Sequence, residues 1–124
     1  MITIDPQYDL TLLVDNFTEH GYYTKQVILE ELLYWQKQSD FLCLVSTDED
    51  GFLIGYRNGD SLWISQAWHK EVDPKMGYTA MKMAKKWSRE RGIKRFFGET
   101  ERSNMGAMAR YGFKEYSLNM VCEL

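Results

Sequence analysis

The stretch from Val72 to Gly92, VDPKMGYTAMKMAKKWSRERG, constrains the chain more than any other, because a proline turn, a glycine and a long amphipathic pattern occur in it together. Pro74 fixes its own φ and disfavours the α conformation at Asp73, so the chain should enter extended and turn helical only afterwards. Met76, Ala80, Met83, Ala84 and Trp87 recur at three- and four-residue spacing, while Lys82, Lys85, Lys86 and Arg89 fall on other faces, which is the pattern of an amphipathic helix. Arg89 and Arg91 suit the carbonyl end of its dipole, and Gly92 can take the left-handed conformation that closes it. The first amides of such a helix have no internal partners and carry partial positive charge, so a start at which Gly77 allows close approach can hold a phosphate or another anion. An ordinary turn glycine has the same appearance, and the pattern leaves both readings open.

With 124 residues, 44% hydrophobic and 15% aromatic, the chain has the apolar content for one folded domain over residues 1–124 and shows no disorder signature. No apolar run approaches the roughly 18 residues of a membrane span, and MITIDPQYDL lacks the order of a signal peptide, so a cytoplasmic protein with no membrane partner is expected. Cys43 and Cys122 lie in apolar, strand-like surroundings and read as core, not as a metal site or disulfide framework. The formal net charge of −3 is unevenly spread: from Lys82 to Arg102 eight Lys or Arg stand against Glu90, Glu99 and Glu101. Such a basic face attracts a phosphorylated ligand or a nucleic acid, or is a plain solvated surface.

In chain order, Ile2 and Ile4 alternate with polar neighbours as in a short edge strand, and Pro6 should open a helix with Leu10, Leu13, Val14 and Phe17 on one face. Thr24 caps a second helix running to about Gln38, with Ile28, Leu32 and Trp35 inward and Leu29 and Leu33 widening that face. Phe41 to Val45 and Phe52 to Tyr56 flank Asp48 to Gly51, which holds a D-G turn signal, as a hairpin, and Asn58-Gly59-Asp60 turns into a third antiparallel strand, Leu62 to Trp68. That strand puts Leu62, Ile64, Gln66 and Trp68 on one side and Trp63, Ser65 and Ala67 on the other. After the long helix, Ile93 to Thr100 should be a strand paired in parallel through a helical crossover. Ser103 caps a short helix ended by Gly112, and the tail from Phe113 is one final strand. The expected fold class is α+β, a mixed and mostly antiparallel sheet with helices on both faces.

This order, with V-x-P at Val72 to Pro74, a glycine at the helix start, Trp87, R-G at Arg91-Gly92, Asn104 after the next strand and G-F at Gly112-Phe113, resembles the GCN5-related N-acetyltransferase (GNAT) family. The topology matches over nearly the whole chain, and the sharp motifs lie within Leu62 to Phe113. The resemblance implies acetyl-CoA in a splay between the strand Leu62 to Trp68 and the strand from Ile93, its pyrophosphate on the amides around Gly77. Val72, Lys75, Met76, Gly77, Tyr78 and Asn104 are then the cofactor-binding candidates, and Lys or Arg of the basic face would meet the 3′-phosphate. Two features depart from the family pattern. The Q/R-x-x-G-x-G/A loop is about five residues short, with Lys75 at its first glycine, and the Tyr that protonates the departing thiolate is replaced by Met108.

The base that takes a proton from the acceptor amine should be a Glu or His near the central strand, and His69, Glu71 and Glu99 qualify. Tyr111 or Tyr116 would replace the missing acid. The first functional reading is an acetyl-CoA-dependent N-acetyltransferase acting on a small-molecule or protein amine. The alternative, which the short loop and absent Tyr favour, is a catalytically lapsed GNAT fold used for binding or structure, of the kind found among small bacteriophage and virion proteins. No nucleic-acid motif is recognised, so nucleic acid is not the expected partner, while a C-terminal edge strand offers pairing with a second copy as a homodimer.

Overall fold

The structure, a computed structural model, describes residues 1–19, 21–38, 40–48, 50–70, 74–99, 114–116 and 119–124, with the backbone alone at 74, 99, 114–116 and 119–122. Its strands are β1 (Ile2–Ile4), β2 (Phe41–Ser46), β3 (Gly51–Asn58), β4 (Ser61–His69), β5 (Arg95–Glu99), β6 (Lys114–Tyr116) and β7 (Asn119–Glu123). Among the described residues the α-helices are α1 (Lys25–Gln36) and α2 (Pro74–Arg89). The strands form one sheet in the order β1-β2-β3-β4-β5-β7-β6, antiparallel everywhere except between β4 and β5. That parallel pair is joined through α2, as a helical crossover requires. The α+β architecture is as expected.

Strand β2 shows how the layers form. Leu42 and Leu44 face one side and meet Leu53, Leu62, Met81, Ala84, Trp87, Ile93 and Phe96, the core under α2. Phe41, Cys43 and Val45 face the other side and meet Leu10, Leu13, Phe17, Ile28, Leu29, Leu32, Phe52 and Ile54, the core under α1. Every residue of β2 is buried, which is why this strand reads as a continuous apolar run. Each fully buried Leu or Phe contributes about 1.5–3 kcal/mol by transfer from water, so both layers are well anchored to the sheet.

Local signals account for most boundaries. The Thr24 hydroxyl accepts from the Val27 amide at 3.3 Å and starts α1. Gly92, with φ of 71°, closes α2, and Gly59, with φ of 66°, turns β3 into β4. Leu33, expected to widen the inner face of α1, is 36% exposed and lies at its margin.

Four expectations are corrected. Residues 6–17 form two 3-10 turns, Leu10–Leu12 and Val14–Asn16, instead of an α-helix. The reason is local competition: Asp5 Oδ1 accepts from the Gln7 amide at 3.0 Å and Asp9 Oδ1 from the Thr11 amide at 3.1 Å, capturing donors near the start of the expected helix. The tail is two strands, not one, because β6 and β7 pair with each other from Tyr116↔Asn119 to Lys114↔Val121. Consequently, among the described strands, β6 is the edge and the C-terminal strand β7 is interior, so the edge that the tail offers lies at β6. The third correction is the start of α2, and the fourth is the facing of β4; both bear on the site.

The proposed short helix after Ser103 lies outside the described residues, as do His20 and Gly112. Cys43 is fully buried, with its thiol pushed up to about 12 by burial and, secondarily, by the Asp5 charge. The side chain of Cys122 is not among those described.

Candidate functional site

Strand β4 carries one residue too many for a regular ladder. Gln66 pairs with Ile54 and Ile64 with the adjacent Gly55, so Ser65 is bulged out between them. Gly55 makes room for this: a Cβ there would come within 2.9 Å of the Trp63 carbonyl oxygen and 3.2 Å of Leu62 Cγ. The bulge swaps the faces of everything beyond it. Ile64 packs on the α2 side, whereas Trp68 packs on the α1 side, its ring 5.9 Å from that of Phe52. The single face expected for Leu62, Ile64, Gln66 and Trp68 is therefore split after Ile64.

On its other edge β4 pairs with β5 only from Ser61↔Arg95 to Ile64↔Gly98. Beyond that point β4 runs on through Ser65, Gln66, Ala67, Trp68 and His69, while β5 continues one residue to Glu99, which pairs with Asn119 of β7. Among the described residues the two parallel strands thus part company at the bulge, and the C-terminal half of β4 has no ladder to β5. An unpaired strand edge presents alternating N–H and C=O groups that an extended, amide-bearing ligand can match.

Helix α2 starts close in sequence to the end of that edge. It begins at Pro74, so Lys75 and Met76 occupy its second and third positions and Gly77 lies inside the first turn instead of in a loop before it. Proline suits a first helical position because its φ is preset and its missing N–H costs nothing there. The first turn contains no acidic residue, and the positive end of the helix dipole is unopposed from within the helix. Lys75 and Tyr78 are exposed, Met76 and Gly77 half-buried.

His69 ends β4. It pairs with Gly51, and its ring leans over that residue closely enough that a Cβ at Gly51 would lie 2.7 Å from His69 Cδ2. Both imidazole nitrogens are buried and make no hydrogen bond among the described residues. Unsatisfied buried polar atoms are uncommon in folded proteins and mark places where a ligand or water completes the structure. Next to it, Asp50 accepts from the Ser46 hydroxyl at 2.5 Å, and its carboxyl is held below the usual range mainly by that hydrogen bond, with a smaller contribution from His69.

On the α1 side the buried Gln66 clamps the chain leaving the 3-10 turns: its Oε1 accepts from the Thr18 amide at 2.7 Å and its Nε2 donates to the Thr18 carbonyl at 3.3 Å. The opposite end of the sheet is closed. Asp40, with φ of 60°, binds Arg57 at 3.0 Å and Arg91 at 3.6 Å, tying the end of β3 to the end of α2.

Of the residues singled out from sequence, His69 ends β4, and Lys75, Met76, Gly77 and Tyr78 fall in the opening turns of α2, which follows it in the chain. Glu99 is at the end of β5, on the other lip, with its backbone described. Glu71, Val72, Asn104 and Tyr111 lie outside the described residues. Ser65 and Gly55 were missed as site-forming; a lone glycine inside the apolar strand FLIGY was the available signal of a bulge.

No family model matches the sequence, and no curated protein matches it. Solved structures do. The backbone aligns with that of an IAA acetyltransferase from Bacillus cereus at TM-score 0.71 and 11% identity, covering 100% of both chains. The ribosomal-protein-S18-alanine N-acetyltransferase from Escherichia coli aligns at 0.71 and 14% identity, covering 99% of this chain and 94% of that one. The paia N-acetyltransferase from Thermoplasma acidophilum, solved in complex with coenzyme A, aligns at 0.70 and 20% identity over 100% of this chain and 99% of that one. The fold is that of the GCN5-related N-acetyltransferases. Within this GNAT fold the β4–β5 pairing among the described residues stops at Ile64 and Gly98, in the pair of strands between which a splay is expected from the sequence, and α2 follows β4 in the chain.

Proposed function

We propose that this GNAT-fold chain is an acyl-CoA-dependent N-acyltransferase that moves an acetyl group from acetyl-CoA to a primary amine. The observation that carries the reading is the end of the β4–β5 ladder at Ile64 and Gly98, which leaves the rest of β4 without a β5 partner and followed closely in sequence by the start of α2. The donor supplies a thioester whose carbonyl an amine can attack. The residues fit it: the β4 edge from Ser65 to His69 offers backbone groups to an amide-bearing arm, and the first turn of α2, with the amides of Lys75 and Met76 and no carboxylate, suits a diphosphate. The Lys75 side chain adds positive charge at that end.

His69 acts as the general base in this reading. A neutral imidazole has a lone pair available, and the buried nitrogens of His69 have no competing partner among the described residues. The acceptor nitrogen forms its bond to the acyl carbon, its proton passes to His69, the carbon–sulfur bond breaks, and the departing thiolate takes up a proton. Tyr111, Asn104 and Glu99 keep the roles proposed from sequence, respectively acid, cofactor contact and alternative base.

One observation favours a second reading, a GNAT fold retained for binding without acyl transfer. Pro74 removes one N–H from the first turn, leaving a smaller set of amides for the diphosphate than a longer loop would give. Titration calorimetry with CoA and acetyl-CoA on the protein and on Gly77→Glu separates the two. A glutamate in the first turn favours the helix while repelling a diphosphate. Micromolar binding that is lost in Gly77→Glu, together with thiol release when amines are offered, supports the transferase; no binding at millimolar ligand leaves the second reading.

A further inference from the structure

Helix α2 carries five cations, Lys75, Lys82, Lys85, Lys86 and Arg89, and no acidic residue. At about 100° per residue these five and Tyr78 fall within roughly a third of the helix circumference, on the side opposite Met81, Ala84 and Ser88, which are buried. Among the described residues the arginines outside α2 are paired: Arg57 and Arg91 with Asp40, Arg95 with Glu123 at 3.5 Å. Among the described residues Lys82, Lys85, Lys86 and Arg89 have no carboxylate partner, although the protein as a whole is acidic and residues 1–60 hold eleven Asp or Glu against Lys25, Lys37 and Arg57. Among the described residues the charge is two-sided, and Lys82, Lys85, Lys86 and Arg89 form the uncompensated positive side.

The stripe extends well past the cofactor site. At ~1.5 Å rise per residue, Lys86 and Arg89 stand about 18 and 22 Å along the axis from Pro74, too far to serve a diphosphate at the first turn. We propose that the outer face of α2 is a docking surface for single-stranded RNA, held through its phosphodiester backbone with an unpaired base stacked on Tyr78, which is 52% exposed. A row of unneutralised cations with one exposed aromatic matches a strand of phosphates and bases. A membrane is disfavoured because Ala80, Met81, Met83, Ala84 and Trp87 of α2 pack into or against the core and do not form an apolar face for insertion. A protein partner would require an apolar centre that the stripe lacks. The absence of a recognised motif, which set nucleic acid aside at the level of sequence, does not bear on a contact made to phosphates alone.

The test is fluorescence anisotropy with a labelled, mixed-sequence RNA strand of about 15 nucleotides, at several salt concentrations. Four phosphate contacts predict a log–log salt slope of about −3, hence about 20-fold weaker binding at 150 than at 50 mM salt. Lys82→Gln/Lys86→Gln/Arg89→Gln should bring the slope to about −1 and weaken binding at 50 mM salt more than tenfold, while Tyr78→Ala should weaken it about tenfold. Circular dichroism checks that each variant keeps the native helix signal. The proposal is overturned if the unmodified protein does not bind at 50 mM salt, if Lys25→Gln/Lys37→Gln/Lys70→Gln weakens binding as much as the α2 triple variant, or if a DNA duplex of equal length binds equally well. Salt-sensitive self-association without RNA would also overturn it, assigning the stripe to the acidic half of a second copy.

Discussion

Replacing Gly55 by alanine tests whether the bulge sets the open edge of β4. The added methyl would lie 2.9 Å from a backbone oxygen, that of Trp63, and 3.2 Å from Leu62 Cγ. A flexible side chain could swing away, but a carbonyl in a paired strand moves only with the strand. Overpacking of this kind costs about 1–3 kcal/mol, with the upper half appropriate to a backbone clash, and the lower entropy of the unfolded alanine chain returns about 0.4–1 kcal/mol. A net loss of about 1–2 kcal/mol lowers Tm by roughly 5–10 °C for a domain of this size. Displacing Leu62 and Trp63 by a few tenths of an ångström also moves the bulge next to them, and losing about one net hydrogen bond to a ligand on the β4 edge weakens CoA about fivefold. Gly59→Ala is the control: its φ of 66° makes alanine strained, but nothing lies within 4 Å and it sits at the closed end, so it should lower Tm without changing CoA affinity. Scanning fluorimetry and calorimetry read both quantities. A Gly55→Ala protein with unaltered Tm refutes the close approach; one with lowered Tm and unaltered CoA affinity refutes the link from bulge to site.

Gly51→Ala should push the His69 ring by about 1 Å, from a 2.7 Å approach to ordinary contact; if His69 is the base, kcat/KM falls about 100-fold, and His69→Ala should add nothing when the two are combined. Gln66→Leu strips both hydrogen bonds from Thr18 and should cost about 1–3 kcal/mol, measured by urea unfolding. Cys43, its thiol raised to about 12, should resist thiol reagents until the protein unfolds. Because the unfolded thiol ionises from about pH 9 while the folded one stays neutral, its contribution to stability is present below pH 9 and declines as pH rises towards 12. Ser46→Ala removes the main cause of the lowered Asp50 carboxyl, so an NMR titration should show it moving back up towards 3.8. In the parent protein the Asp50 contribution is present above 3.8 and is lost as pH falls below it.

Elements whose signals are local were legible in the sequence. Thr24, Gly59 and Gly92 mark their boundaries by side-chain or backbone chemistry that does not depend on the rest of the fold, and the continuous apolar run at β2 announces a strand covered on both faces. The segment 6–17 misled because apolar spacing suggested a helix, while Asp5 and Asp9 held backbone amides in turns. The bulge at Ser65 reverses the inward face of β4 without any change in residue type there, and only Gly55 on the neighbouring strand hinted at it. Gly77 was placed in a loop because a proline and a glycine close together read as a turn, yet proline is also a favourable first residue of a helix. The basic stripe was visible as composition, but whether its cations had partners depended on where Asp40 and Glu123 lie in space.

The most direct test of the account is amide hydrogen exchange with and without CoA. Binding along the unpaired edge predicts slowed exchange within Ser65 to His69 and in the first turn of α2, with β1 and β2 unchanged. Protection confined to other elements, or none at millimolar CoA, would contradict the claim that the parting of β4 from β5 forms the acyl-donor site.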